Sequence, residues 1–374
     1  MRNVILFGGA FDPIHLGHLH MADAASKALD AEVIFIPARI SVWKSDSAPV
    51  EDKIKMIKLA IKDFNRENVF SVSRYEADSK DDINYSIDTV RHFKKEMPDA
   101  NIYLLIGQDQ VNSFEKWKDA QEISELAKIV YFGRLDNSSE SDNIKKFSMM
   151  RIDGEINNIN STDIRELKNL DTTDSVINYI IDNDLYFMQK IKCRMCEDRY
   201  IHSKSVGKLS YKIAKSNSVA EPKKALIAGL IHDCGKELPR EDEKRIMEDH
   251  YPEFMYLPRI IYHQFTGSYL AKNEFKIDDE IILDAIKYHT TANSNMSEIG
   301  IIIYCTDKIE PTRGFNSEGL INSMKKNLMK GFEDVMKSNI EYYDAHKINY
   351  RNPLTVACLD QYFKKQILEL KRAC

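Results

Sequence analysis

The apolar run Val4-Ile5-Leu6-Phe7 ends in Gly8-Gly9, and His15 and His18 follow at a spacing of three. This stretch constrains the chain more than any other. A buried strand running into paired glycines reads as strand, loop, helix. If a helix begins near His15, both imidazoles share one face of its first turn. That face also carries unpaired N–H groups and the positive end of the helix dipole, which suit a nucleotide phosphate. Gly8 and Gly9 remove side chains that would hold phosphates off the backbone. Two adjacent, protonatable imidazoles can then stabilise charge at a phosphorus under attack. The glycine spacing fits neither a G-x-G-x-x-G fingerprint nor a P-loop.

A length of 374 residues with 43% hydrophobic content is enough for two cores, so two domains are expected. A net charge of -5 argues against a general nucleic-acid binder. No apolar run reaches the length of a bilayer span, and the N-terminus enters a strand directly. A cytoplasmic protein without a membrane partner is therefore expected, its oligomeric state left open. The six cysteines lie in the C-terminal half; Cys193 and Cys196 form a lone C-x-x-C and read as ordinary thiols near a domain junction.

Strand-like runs at 3–8, 32–36, 69–72, 101–106 and 128–132 alternate with helical patterns at 17–29, 51–64, 84–97 and 176–183. This predicts βαβ units and a parallel sheet, with ligands at the carboxyl ends of the strands near Gly8-Gly9 and Gly107. Asp136 to Asn143 reads as an exposed acidic loop. After about residue 190 the pattern becomes successive amphipathic helices, with a last strand-like run at 299–304. The fold class expected is α/β plus all-α, with domains at 1–190 and 195–374.

Further segments bear on the first domain. Gly107 would permit close approach of a nucleotide, and Asp109 could bind ribose hydroxyls or organise a metal-phosphate group. Trp117 could stack on a heteroaromatic ring. Ser161-Thr162-Asp163-Ile164-Arg165 places hydroxyls at a helix start with an arginine one turn on. Tyr85-Ser86 opens another helix. The His15–His18 stretch resembles the H-x-G-H signature of the nucleotidylyltransferase superfamily, a Rossmann-like fold. In this order the segments resemble bacterial nicotinate-nucleotide adenylyltransferases, over roughly residues 2–188. The resemblance implies that Gly8, Gly9, Phe11, His15, His18, Gly107, Asp109, Ser161, Thr162 and Arg165 bind ATP. Tyr85, Ser86, Asp109 and Trp117 would hold nicotinate mononucleotide. His15, His18, Lys44 and Arg165 would serve catalysis with magnesium. Trp43, Ala10 and Asn160 depart from the family's usual residues. A sister enzyme using an acceptor such as phosphopantetheine is the alternative.

A second series follows: His202, His232-Asp233, His263, His289 and Asp307. Imidazole and carboxylate ligands without cysteine suit iron, manganese or a similar metal. Four of these residues (His202, His232, Asp233, Asp307) suffice for one ion, and the two further histidines suggest a second, with Asp233 bridging. Such a centre serves phosphate-ester hydrolysis. The series resembles the HD-domain phosphohydrolases. The stretches at Arg199–Ser203, Tyr288–Thr291 and Asp307–Arg313 are similar to the symmetrical diadenosine tetraphosphate hydrolases, over about residues 195–370. The resemblance implies a helical domain with two metal ions, usually taken to be iron in that family, and two ADP as products. Asp233 and Lys236 would be catalytic, and Lys236 and Arg313 would face the polyphosphate. Gln264 stands where that family often has glycine. Another nucleotidase, a cyclic-nucleotide phosphodiesterase or a non-catalytic regulatory module are the alternatives for this half.

Overall fold

The structure is a computed structural model that describes residues 2–39, 47–79, 83–133, 141–154 and 159–370, with side chains to residue 363. It divides into two compact units, Met1–Tyr186 and Phe187–Cys374.

Among the described residues the first unit has six strands: β1 (Asn3–Gly9), β2 (Glu32–Pro37), β3 (Phe70–Val72), β4 (Asn101–Gly107), β5 (Lys128–Gly133) and β6 (Met150–Asp153). All pair in parallel, in the order β3-β2-β1-β4-β5-β6. Both faces are covered, which explains the continuous apolar runs. Val4, Leu6, Leu104, Ile106 and Ile129 turn to one core with Val90 and Ile123 of the covering helices. Ile5, Phe7 and Leu105, one residue out of phase, are buried on the other face. The strand order reverses between β1 and β4, and there the crevice opens at the strands' carboxyl ends. Gly8-Gly9 and Gly107 end those two strands.

The second unit is helical. Helices Glu197–Ser216 and Pro222–Ile231 pack closely because Gly207 and Gly229 face each other; a Cβ on Gly229 would lie 2.7 Å from the Gly207 Cα. This contact brings His202 toward His232. Gly235 similarly lets the turn after Asp233 lie against the helix Tyr262–Asn273, since a Cβ there would meet the His263 carbonyl at 2.7 Å.

Three expectations change. Residues 299–304 form no strand but the interior of helix Glu298–Ile309, buried on every side, so its apolar run shows no 3.6 periodicity. β6 leaves no clear mark in the sequence, because Met150–Asp153 is a short edge strand with only Ile152 buried. Residues 134–140 lie outside the described residues. Beyond them Asn143 is not exposed loop: it sits in the helix Asp142–Lys146, is 4% exposed, and its amide donates to the carbonyls of Val111 and Asn112.

Candidate functional sites

His15 is the N-cap of the helix Leu16–Leu29 and His18 its third residue. The backbone N–H of His15 donates to His18 Nδ1 and that of His18 to His15 Nδ1, both at 3.3 Å. The rings stack with centroids 3.6 Å apart. Both Nδ1 atoms are thus acceptors, so each Nε2 carries the proton and is the donor left over. Desolvation lowers the pKa of His15 to about 4 and, with the like charge of His15, holds His18 well below its usual value. The two imidazoles are therefore neutral donors at neutral pH, in keeping with their place at the positive end of the helix dipole.

This has a pH consequence. Unfolded histidine binds a proton near 6.5, while folded His15 does so only near 4. Within that window the unfolded state holds more protons, so stability falls as pH drops through it. An NMR titration of the ligand-free protein is expected to give His15 a midpoint near 4. A midpoint at or above the ordinary histidine value would contradict the paired-cap geometry.

The histidines open on a cavity of about 620 Å³ at the switch point, lined also by Gly8, Gly9, Phe11, Gly107, Asp109 and Ser161. A Cβ on Gly8 would meet nothing within 4 Å, so the strand end is open to a ligand. Gly107 is different. Its missing side chain makes room for the chain's own Asp109, whose Oδ1 lies 2.6 Å from where a Cβ would stand. Phe11 holds a left-handed φ of 45°, uncommon for a bulky residue, and packs its ring on Phe7, His18 and Phe35.

The loop is stitched to the segment that carries Arg165. Arg165 donates to the Asp12 carbonyl at 2.5 Å and to Thr162 Oγ1 at 3.0 Å, and Ser161 Oγ donates to the Pro13 carbonyl at 2.9 Å. Asn160 caps the helix Ser161–Arg165 by accepting from the Asp163 N–H at 2.8 Å. Buried Asp12 accepts from Ala48 N–H and from the Tyr186 hydroxyl, tying the loop to the chain just beyond Lys44. Neither Asp12 nor Tyr186 stands out in the sequence. Trp43 and Lys44 lie outside the described residues.

Tyr85, Ser86 and Trp117 do not line this cavity. Tyr85 caps the helix Ser86–Glu96 with its ring exposed, and Lys118 Nζ lies 4.2 Å from that ring. The two segments therefore meet, with Trp117 packed partly into the core against Phe114 at 5.1 Å. Lys118, which belongs to no motif in the sequence, brings a cation beside the Tyr85 ring.

In the second unit five elements deliver the ligand series. His202 comes from Glu197–Ser216, His232 and Asp233 from the end of Pro222–Ile231, and His263 from Tyr262–Asn273. His289 follows Glu280–Lys287, and Asp307 lies on Glu298–Ile309. The Nδ1 atoms of His232, His263 and His289 bond to the carbonyls of Gly229, Ile260 and Ile286 at 2.8, 2.9 and 2.7 Å. Each Nδ1 is then the donor, and each Nε2 presents a lone pair. Those three Nε2 atoms surround Asp233 Oδ1 at 3.8, 3.8 and 3.4 Å. His232 Nε2 and Asp233 Oδ1 are buried without a hydrogen-bond partner. Burial pushes His263 down to about 3 and lowers His289, which favours their neutral forms, whereas His202 is raised because its desolvation is outweighed by the bonds to Asp307 and Glu310. Lone pairs converging on a buried carboxylate oxygen fit a divalent cation. Among the described residues two such groups exist, His202–His232–Asp233 and Asp233–His263–His289, with Asp233 common to both.

Asp307 joins the first group, its Oδ1 lying 3.1 Å from His202 Nε2 and 3.6 Å from His232 Nε2. Asp233 Oδ2 is taken by Arg199 and Lys236, each at 3.1 Å, which leaves Oδ1 alone to face the imidazoles. Arg313 pairs with Asp307 Oδ1 at 2.5 Å. Gln264 is buried, and its Oε1 accepts from the N–H groups of Thr290 and Thr291 at 3.2 Å, fixing the turn that follows His289. Glycine could not do this. Cys193 and Cys196 are free and exposed, and join no ligand group among the described residues.

The cytidylyltransferase-like family model matches residues 6–167, and the HD domain model matches residues 199–312. A Mycoplasma genitalium protein named "probable nicotinate-nucleotide adenylyltransferase/Ap4A hydrolase" is 32% identical over 350 residues, covering 90% of this chain and 97% of that protein. A Mycoplasma pneumoniae protein of the same name is 28% identical, over 89% of this chain and 98% of its own. Among solved structures, the Plasmodium falciparum nicotinic acid mononucleotide adenylyltransferase complexed with NaAD aligns at 18% identity and a TM-score of 0.44, over 50% of this chain and 98% of that one. No helix among the described residues is long and apolar enough to cross a membrane. With a cytidylyltransferase-like unit followed by an HD domain, and a relative matched along nearly its whole length, the chain belongs to the nicotinate-nucleotide adenylyltransferase/Ap4A hydrolase family.

Proposed function

We propose that the first unit transfers the adenylyl group of ATP to nicotinate mononucleotide, and that the second hydrolyses diadenosine tetraphosphate to two ADP. The observation that carries this reading is the presence in one chain of two clusters of different chemistry, an Nε2–H donor pair opening on the cavity at the switch point and imidazoles gathered about Asp233 Oδ1.

In the first site ATP lies across the ends of β1 and β4. The acceptor phosphate oxygen forms a bond to the α-phosphorus while the bond to the β-phosphate oxygen breaks. Pyrophosphate leaves with the electron pair. The attacking phosphate is already an anion, so no general base is needed. His15 and His18 donate from Nε2 to oxygens on which charge grows, and their caps fix that direction before substrate arrives. Arg165, held by Asp12 and Thr162, adds positive charge beside them. Lys44 is proposed to neutralise phosphate, and magnesium, held with the help of Asp109, would supply further positive charge to the polyphosphate.

Our reading puts the nicotinate end where Tyr85 meets Lys118, beside Ser86 and Trp117, and the nearness of the two segments supports it. A carboxylate gains from that cation and from the free N–H groups at the helix start, which an amide satisfies poorly. Nicotinate mononucleotide is therefore expected to exceed nicotinamide mononucleotide in kcat/KM by roughly 5- to 150-fold, corresponding to about 1–3 kcal/mol for an unsatisfied polar group. Steady-state assay of both acceptors checks this; equal or reversed efficiency would refute it.

In the second site His202, His232, Asp233 and Asp307 would hold one divalent ion, and Asp233, His263 and His289 another, with iron as the proposed metal. Such a pair supplies Lewis acidity and a nucleophilic water at neutral pH. Lys236 and Arg313 would bind the polyphosphate and offset charge on the departing ADP, while Arg199 keeps Asp233 Oδ2 anchored.

A further inference from the structure

Three of the imidazoles around Asp233 have a neutral backbone carbonyl on Nδ1, and His202 does not. Its Nδ1 lies 2.9 Å from Glu310 Oε1. Glu310 is fully buried and cannot swing aside, because Thr312 grips both of its oxygens. The Thr312 N–H donates to Oε2 at 2.7 Å and its hydroxyl to Oε1 at 2.6 Å. Glu310 follows Asp307 by three residues, so one helix end supplies both a first-group carboxylate and the carboxylate behind the first-group histidine.

We infer that Glu310 is a positioning residue that makes the two cation sites unequal, with the His202–His232–Asp233–Asp307 site the tighter. This rests on the two-metal reading proposed above. A carboxylate on the far nitrogen fixes the ring and raises the basicity of the ligating nitrogen, which a carbonyl does far less. Net charge does not separate the two sites. Lys308 and Arg313 pair with Asp307 and balance Asp307 and Glu310 on the His202 side, while Arg199 and Lys236 pair with the shared Asp233. The difference lies in the ligand set and in the carboxylate that holds the His202 ring. The His202 side has two carboxylate ligands, whereas the His263–His289 side has only the shared Asp233.

The test uses the full chain, stripped by chelator and titrated with Mn2+ in equilibrium dialysis, with bound metal counted per chain. Wild type is expected to fill in two steps. Glu310→Gln should weaken the tighter step by about 10- to 100-fold and leave the weaker one unmoved. Thr312→Val, which removes one bond to Glu310 and touches no ligand, should shift the same step by less. His263→Ala should delete the weaker step only. Thermal unfolding of each metal-free variant verifies that the domain is folded. Two ions bound with equal affinity, or a Glu310→Gln shift confined to the weaker step, would overturn the inference while leaving the two-metal reading standing. Failure of folded wild type to take up Mn2+ would remove both.

Discussion

Replacing Asp233 by alanine is expected to abolish diadenosine tetraphosphate hydrolysis and empty the metal centre, while adenylyl transfer continues at the wild-type rate. Asp233 Oδ1 is the atom on which three imidazoles converge, and the side chain is 1% exposed. No neighbouring carboxylate can take its place, because Asp307 faces His202 and His232 and not His263 or His289. Metal assistance is worth several kcal/mol at the transition state, which converts to a loss of about 10³-fold or more. The deletion also leaves Arg199 and Lys236 facing each other without their shared anion, so the variant should be less stable as well as inactive. Asp233→Asn keeps the volume and one neutral oxygen, and separates these effects: it should fold better yet remain poor in metal and in hydrolysis. Metal content per chain and hydrolysis rate are the measurements. A folded, metal-free variant with full hydrolysis would contradict the assigned centre.

The mirror experiment is His18→Ala. Loss of one preorganised donor to the transition state is expected to lower kcat for adenylyl transfer by about 100-fold or more. Part of the loss is indirect, since His18 Nδ1 also accepts the His15 N–H that closes the reciprocal cap. Losing a cap costs about 0.5–2 kcal/mol, so the variant should melt earlier yet remain folded. Hydrolysis should be untouched, because every residue of that site belongs to the other compact unit. Near-wild-type transfer by the folded variant would remove His18 from the reaction.

The parts legible in the sequence are those written locally. β1, β2, β4 and β5 show as apolar runs because both sheet faces are covered, and the sites as clusters of chemically unusual residues at short spacing. Strand order is not legible, since nothing local fixes which strand lies beside β1. The helix over 298–309 reads as a strand at its start because complete burial erases the polar face that would mark a helix. The charge state of His15 and His18 is also hidden: it follows from desolvation and from two backbone donors, which exist only after folding. Glu310, Arg199, Gln264 and Lys118 carry ordinary polar side chains. What singles them out is a partner distant in the chain: His202, Asp233, the turn after His289 and Tyr85. Tyr186 is the same case, since its bond to Asp12 spans most of the first unit.

The central claim is that one chain carries two separate sites acting on polyphosphates by opposite chemistry. The most direct test is a crossed assay of wild type, His18→Ala and Asp233→Ala, each measured as full chain for both reactions, with nucleotide products identified. Each variant should lose one activity and keep the other, with nicotinate adenine dinucleotide from the first site and ADP alone from the second. Loss of both activities in either folded variant, or ATP plus AMP from diadenosine tetraphosphate, would contradict it.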